Sequence, residues 1–193
     1  MTLPITAYGD PILRKVAQPI TADYPDLQGL IDNMFETMYH SHGVGLAAPQ
    51  VNLSIRLFVI DSTPMFEDED GNLPPVHQAV KRVFINAQML KNEGSPWSYT
   101  EGCLSLPGIR ESVKRPPEIL IRYCNENFEW KEERFDGLNA RVIQHEYDHL
   151  EGKLFIDYLS PLKKRLISRR LDRIVNGDVK VSYLMRFLPN KKR

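Results

Sequence analysis

The stretch Gln144-His145-Glu146-Tyr147-Asp148-His149-Leu150-Glu151-Gly152 constrains this chain more than any other. It contains His-Glu-x-x-His. Residues four apart lie on one face of a helix, so His145 and His149 can point two imidazoles at one metal ion. Glu146, one residue on, can reach a water on that ion without ligating it. A metal-activated water beside a general base is the apparatus of metal-assisted hydrolysis. The competing reading is a solvated helix face on which two histidines fall four apart by chance. The rest of the chain must supply a third ligand, an oxyanion site and a substrate pocket.

The segment Glu101-Gly102-Cys103-Leu104-Ser105-Leu106-Pro107-Gly108 bears on the ligand. Cys103 lies between glycine-containing turns, and its thiolate would leave a fourth coordination position for water, the open layout of a catalytic site. A lone cysteine is otherwise a small buried hydrophobe; Cys124, which follows the apolar residues 119–123, fits that description better. Other third ligands fail. A histidine six residues after His149 would mark one peptidase group, and Phe155 stands there. Another group takes a later glutamate, and none follows Glu151. Two cysteines make no disulfide framework.

A third stretch, Gly43-Val44-Gly45-Leu46-Ala47-Ala48-Pro49-Gln50, reads as too glycine-rich and small to hold a regular strand. Small residues let backbone approach a ligand closely, and Gln50 adds a neutral amide donor. It lacks the spacing of a phosphate loop.

Around these motifs the elements follow from periodicity. Pro25 suits the first position of a helix whose stripe is Leu27, Leu30, Ile31, Met34, Phe35 and Met38, with Gly43 at its end. His40 and His42 near that end read as structural, since cations are favoured at a helix C-terminus. Residues 55–60, 83–85, 119–123 and 128–135 read as strands. Asp136 is placed to cap the histidine-bearing helix, Leu138, Val142 and Ile143 face its core side, and Gly152 closes it. Ser160-Pro161 opens a last helix with Leu162, Leu166, Leu171, Ile174 and Val175 as its stripe and Asn176-Gly177 as its end. Residues 179–188 add a final strand. Residues 62–77, with the acidic run Glu67-Asp68-Glu69-Asp70, read as a mobile surface excursion.

The 25 basic and 25 acidic residues cancel, so net charge identifies no partner. The distribution is uneven: from Ser160 onward only Asp172 and Asp178 oppose a basic tail. No apolar run is long enough to span a membrane, and residues 1–10 lack a signal-peptide layout. The expectation is a cytoplasmic protein with no membrane or DNA partner.

The three quoted stretches resemble, in order and spacing, the signature motifs of the peptide deformylase family, and the likeness runs to about Leu162. The resemblance implies removal of formate from the N-terminal formyl-methionine of nascent chains. It implies metal ligands Cys103, His145 and His149, Glu146 as general base, and oxyanion donors Gln50 and the backbone N–H of Leu104. It implies one divalent metal ion, natively ferrous iron, with zinc, nickel or cobalt able to occupy a purified sample. The substrate backbone is expected to pair with Val44 and Gly45 and with Ile109 and Arg110. Val44, Leu138, Val142 and the His145 ring are the candidate methionine pocket, with Arg141 at its mouth. Glu101 and Asp148 read as supports for the ligands, with Arg115 paired to either. The excursion at residues 67–75 and the tail beyond Gly177 depart from the commonest family pattern.

The expected architecture is a single α+β domain over residues 1–193, with mostly antiparallel short sheets around the central metal-binding helix and a C-terminal helix outside. It is expected to be a monomer; its basic C-terminal helix reads first as a solvated face, the other reading being a face that docks on the RNA phosphates of the ribosome. Two alternatives stand beside this reading: another small metallo-amidase or peptidase, and a structural four-ligand metal site in an RNA-docking module.

Overall fold

The run Leu57-Phe58-Val59-Ile60 is buried at every position. A strand reads so only when both of its faces are covered. In the computed structural model, which describes residues 1–67 and 78–189, this strand lies near the middle of the main sheet. The elements in chain order are β1 (Ile5–Thr6), α1 (Leu27–His40), β2 (Gly45–Ala47), β3 (Leu57–Asp61), β4 (Lys81–Glu93), β5 (Trp97–Gly102), β6 (Arg110–Arg115), β7 (Glu118–Cys124), β8 (Trp130–Asp136), α2 (Gly137–Leu150), α3 (Pro161–Val175) and β9 (Met185–Arg186). The main sheet has the order β2-β3-β4-β7-β8, antiparallel throughout. β5 and β6 form a separate antiparallel hairpin, and β1 pairs with β9 in parallel.

The alternation of β3 and β4 assigns one helix to each face. Phe58, Ile60 and Phe84 point to α2, where Ala140, Val142, Ile143 and Leu150 meet them. Leu57, Val59, Val83 and Ile85 point to α1 and meet Ile31, Met34 and Met38. Phe58 and Phe84 stack with centroids 4.5 Å apart beneath α2. A fully buried side chain of this size is worth roughly 1.5–3 kcal/mol, so the position of α2 on the sheet is strongly fixed. The α+β architecture around a central histidine-bearing helix is the expected one.

Several local expectations are corrected. Gly45–Ala47 is a strand after all: Gly45, Leu46 and Ala47 pair with Ile60, Val59 and Phe58. A neighbouring strand supplies the ladder that the local sequence does not favour. β4 runs thirteen residues rather than three, carried past irregularities between Ile85 and Lys91. α1 begins at Leu27, not Pro25, because Asp26 takes a left-handed conformation (φ 48°) between them. At its other end His42 (φ 56°), not Gly43, is the left-handed residue. On α3 the buried positions are Ile167 and Ile174, while Leu162 and Leu166 are exposed. Only Met185 and Arg186 of residues 179–188 join a strand.

Other terminal signals hold. Gly152 (φ 67°) follows α2, and a Cβ there would meet the Arg14 carbonyl carbon at 2.7 Å. Ser160 Oγ accepts from the Lys163 N–H. Asp136 stands at the start of α2 without a side-chain cap bond. Most of the excursion expected at residues 62–77, and the basic end at 190–193, lie outside the described residues.

Candidate metal centre and substrate cleft

α2 crosses the sheet with His145 and His149 on the face turned toward the β5–β6 connection, which carries Cys103. One donor atom from each of Cys103, His145 and His149 fits within 4.8 Å of the others. His149 Nε2 is 3.4 Å from Cys103 Sγ. Among the described residues no other group of three such side chains gathers. Cys124 is buried in β7, in the cluster around α1. The four-ligand alternative therefore finds no fourth donor among the described residues, whereas three donors leave the open side of a catalytic ion.

The donor set suits such an ion chemically. Thiolate and imidazole together favour iron, zinc, nickel or cobalt over calcium or magnesium. His145 Nδ1 is held 2.9 Å from Glu101 Oε2, which fixes the ring and leaves Nε2 for the centre. Burial, helped by the charge on His145, lowers the pKa of His149 well below the usual imidazole value. Two buried polar atoms beside the cluster, Glu146 Oε2 and His149 Nδ1, have no partner among the described residues. Buried polar atoms are rarely left so.

Glu101 anchors the support beneath His145. Its Oε1 accepts from Arg115 Nε at 2.7 Å and Arg141 Nη1 at 3.0 Å, and its Oε2 also accepts from Arg115 Nη2 at 3.0 Å. Arg115 reaches Asp148 Oδ2 as well, at 2.6 Å, so it pairs with both carboxylates rather than one. Burial opposes ionisation of Glu101, but His145 and Arg115 overcome it and hold the carboxyl well below the usual range.

Glu146 is almost fully buried. Burial, opposed by His145 and reinforced by the Glu101 charge, pushes its carboxyl up to about 7. Gly45 faces it: a Cβ at Gly45 would lie 2.7 Å from Glu146 Cγ and Cδ and closer still to Oε1. The missing side chain is thus what lets β2 and Glu146 share the space. Gln50 is held by its own oxygen, which accepts from the Ala47 N–H at 2.9 Å. That turns its amide nitrogen toward Cys103 Sγ and Ser105 Oγ, each at 3.4 Å.

These groups open into a cleft of about 620 Å³. Val44 and Gly45 of the β2 edge line one side, and Leu104, Ile109 and Arg110 another. Val142, His145 and Glu146 of α2 form the floor. Leu138 is not on these walls; it sits half-buried in the first turn of α2. Arg141 lines the cleft as expected, but with its guanidinium turned inward. It is 2% exposed, because Glu101 and the Val113 and Trp97 carbonyls take its guanidinium. His40 and His42 stay outside the donor cluster, as expected. A further wall comes from Lys180, Val181, Ser182 and Tyr183. No motif in the sequence marks them; their partners lie far back in the chain, and only the fold brings the two together.

An open metal site with its own buried base cleaves bonds with water, so the class is that of metal-dependent hydrolases. The polypeptide deformylase family model matches residues 2–165. A peptide deformylase of Flavobacterium johnsoniae is 57% identical over 196 residues, spanning 100% of this chain and 99% of the relative. The crystal structure of peptide deformylase from Thermotoga maritima is 41% identical with a TM-score of 0.71, covering 83% of this chain and 99% of that one. That of Plasmodium falciparum is 34% identical with a TM-score of 0.78, covering 90% and 95%. The chain belongs to the polypeptide deformylase family.

Proposed function

We propose that the cleft takes the formyl-methionyl end of a nascent polypeptide and hydrolyses the formyl amide, releasing formate. The observation that carries this is the unpartnered Oε2 of buried Glu146 beside the Cys103, His145 and His149 cluster. A divalent ion held by those three residues supplies a Lewis acid that polarises the carbonyl and acidifies water. Ferrous iron is the native ion on this reading.

Glu146 takes the proton of the attacking water. The water oxygen bonds to the formyl carbon, which becomes tetrahedral, and the carbonyl oxygen gains negative charge. The Gln50 amide and the Leu104 N–H stand beside Cys103 to receive that charge, and one such donor is worth roughly 3 kcal/mol of barrier. Glu146 then returns the proton to the departing nitrogen as the C–N bond breaks, leaving formate and a free amine. A neutral amide at Gln50 suits this role, since a carboxylate would repel the developing charge.

β2, the end strand of the main sheet, offers its cleft-side backbone to the substrate as to an added strand, with Ile109 and Arg110 across the cleft. Val44, Val142 and the His145 ring give the methionine side chain an apolar seat. Gly45 and Glu146 are packed so closely that a formyl hydrogen fits where an acetyl methyl is excluded. On α3, Arg165 and Arg169 together with exposed Leu162 and Leu166 form the face offered to ribosomal RNA phosphates. No described helix is long and apolar enough to cross a membrane, and we place the enzyme in the cytosol as a monomer.

The test is formate release from a short formyl-methionyl peptide by protein prepared anaerobically with iron or nickel. Acetylated and unmodified peptides run alongside. Rapid formate release with intact peptide bonds and little deacetylation is expected. Internal cleavage, or no turnover with a full metal site, would overturn the proposal.

A further inference from the structure

The turn that carries Cys103 and Leu104 contributes both a donor atom and the N–H assigned to the oxyanion, yet it belongs to no helix or strand. Its geometry rests on what its carbonyls bond. The Cys103 carbonyl accepts from the Leu106 N–H at 2.9 Å, within the turn itself. The Ser105 carbonyl accepts from the Tyr8 N–H at 2.8 Å. The Leu104 carbonyl accepts from the hydroxyl of Tyr183 at 2.8 Å. This third tie comes from the C-terminal segment, beyond residue 165 where the family match ends.

The segment is built to hold that tyrosine in place. Gly177 (φ 72°) ends α3, and the Asp178 N–H returns to the Arg173 carbonyl at 2.8 Å. Val179, Met185 and Phe187 pack against Leu106, Ile109 and their buried neighbours. The Ile5 N–H bonds the Leu184 carbonyl at 2.8 Å, and β9 runs beside β1. Residues 180–183 are thus pinned at both ends as they pass the cleft. The Tyr183 ring is half-buried against the cluster that also holds the Leu104 side chain.

We propose that Tyr183 is a positioning residue for the deformylation reaction: its hydroxyl, clamped on the Leu104 carbonyl, fixes the turn so that the Leu104 N–H points at the developing oxyanion. This rests on the oxyanion role given to Leu104 above. An oxyanion donor acts over a narrow range of distance, and a misplacement of about 1 Å can cost on the order of a hundredfold in rate. Loss of one of several ties on the turn is a smaller disturbance, so about tenfold in kcat is expected, with binding of the methionyl end little changed.

The test is Tyr183→Phe, which keeps the ring and its packing and removes only the hydroxyl. Two measurements are made on metal-loaded protein with equal metal content. The first is hydrogen exchange of the Leu104 and Ser105 amides, which needs no turnover. Exchange at least several-fold faster in Tyr183→Phe than in wild type is expected; equal rates overturn the clamp. The second is steady-state kinetics on a formyl-methionyl peptide. A kcat lower by about tenfold with KM within twofold is expected. Faster exchange with unchanged kcat, or a change confined to KM, overturns the positioning role and leaves the deformylase reading intact. Absence of formate release by wild-type enzyme overturns that reading and the catalytic role together, and the exchange rates then still decide whether the hydroxyl holds Leu104.

Discussion

Replacing Glu101 by glutamine removes one charge from a buried cluster without changing its shape. The carboxylate accepts from Arg115 twice, from Arg141 and from His145, and the side chains of the two arginines are 4% and 2% exposed. An amide keeps one acceptor oxygen. It can satisfy either Arg115 Nε with Arg141, or Arg115 Nη2 with His145, and its NH2 confronts the donors of the other pair. Two charge-assisted bonds are lost, and Arg141 keeps no carboxylate. Breaking a buried ion pair from one side costs roughly 3–5 kcal/mol, a large part of the roughly 5–15 kcal/mol that holds a domain folded. Loss of the His145 tether should also weaken metal affinity by roughly 10- to 100-fold. Urea unfolding and a chelator-competition titration read the two effects separately. Glu111→Gln is the control, because its partners Lys163 and Arg170 are substantially exposed and its loss should cost less than about 1 kcal/mol. A Glu101→Gln protein within 1 kcal/mol of wild type, by the estimate for a screened pair, and with unchanged metal affinity would refute the role given to this carboxylate.

Glu146→Ala should retain the metal and lose on the order of 10²- to 10⁴-fold in kcat; a metal-free product would make Glu146 structural instead. Gly45→Ala drives a methyl group into Glu146, so kcat should fall by at least about tenfold at a stability cost of roughly 1–3 kcal/mol, and a fully active variant would show that β2 can yield. Burial opposes ionisation of Asp157, but bonds from Arg14 and the Leu154 N–H lower its pKa below the usual aspartate range. Its stabilising contribution is therefore present above about pH 4 and lost as pH falls through the folded value; Asp157→Asn should be less stable than wild type at neutral pH and equal to it in strong acid, as acid titration followed by circular dichroism would reveal. The iron-loaded enzyme should lose activity in air through oxidation of iron and of Cys103, and equal half-lives under air and argon would count against that ion.

The local sequence carried much of the site. His145, Glu146 and His149 needed only helical spacing to be placed, and Cys103 was proposed from its setting between glycine-containing turns, with no histidine at position 155 and no glutamate after Glu151 to compete. Leu138 shares the helical spacing of Val142, yet it lies off the cleft, since spacing sets a face of a helix but not how far along it a cleft extends. Arg141 is drawn inward by acceptors on β5 and β6, which no local pattern announces. The β2 strand was missed for a related reason: Gly45, Leu46 and Ala47 have little strand preference of their own, and β3 imposes the conformation.

By itself, the sequence determined the chemistry, because side-chain type and short-range spacing fix what a donor set can bind and which carboxylate stands beside it. The tertiary structure decided what depends on distant pairings. Glu101 meets Arg141 across forty positions, Gln50 turns its amide toward Cys103, and Tyr183 closes on Leu104 from seventy-nine positions away. Such contacts are set by the packing of α2 on the sheet and by the parallel pairing of β1 with β9. No periodicity in the chain encodes them, since a periodic pattern reports only which face of an element is covered and not what covers it.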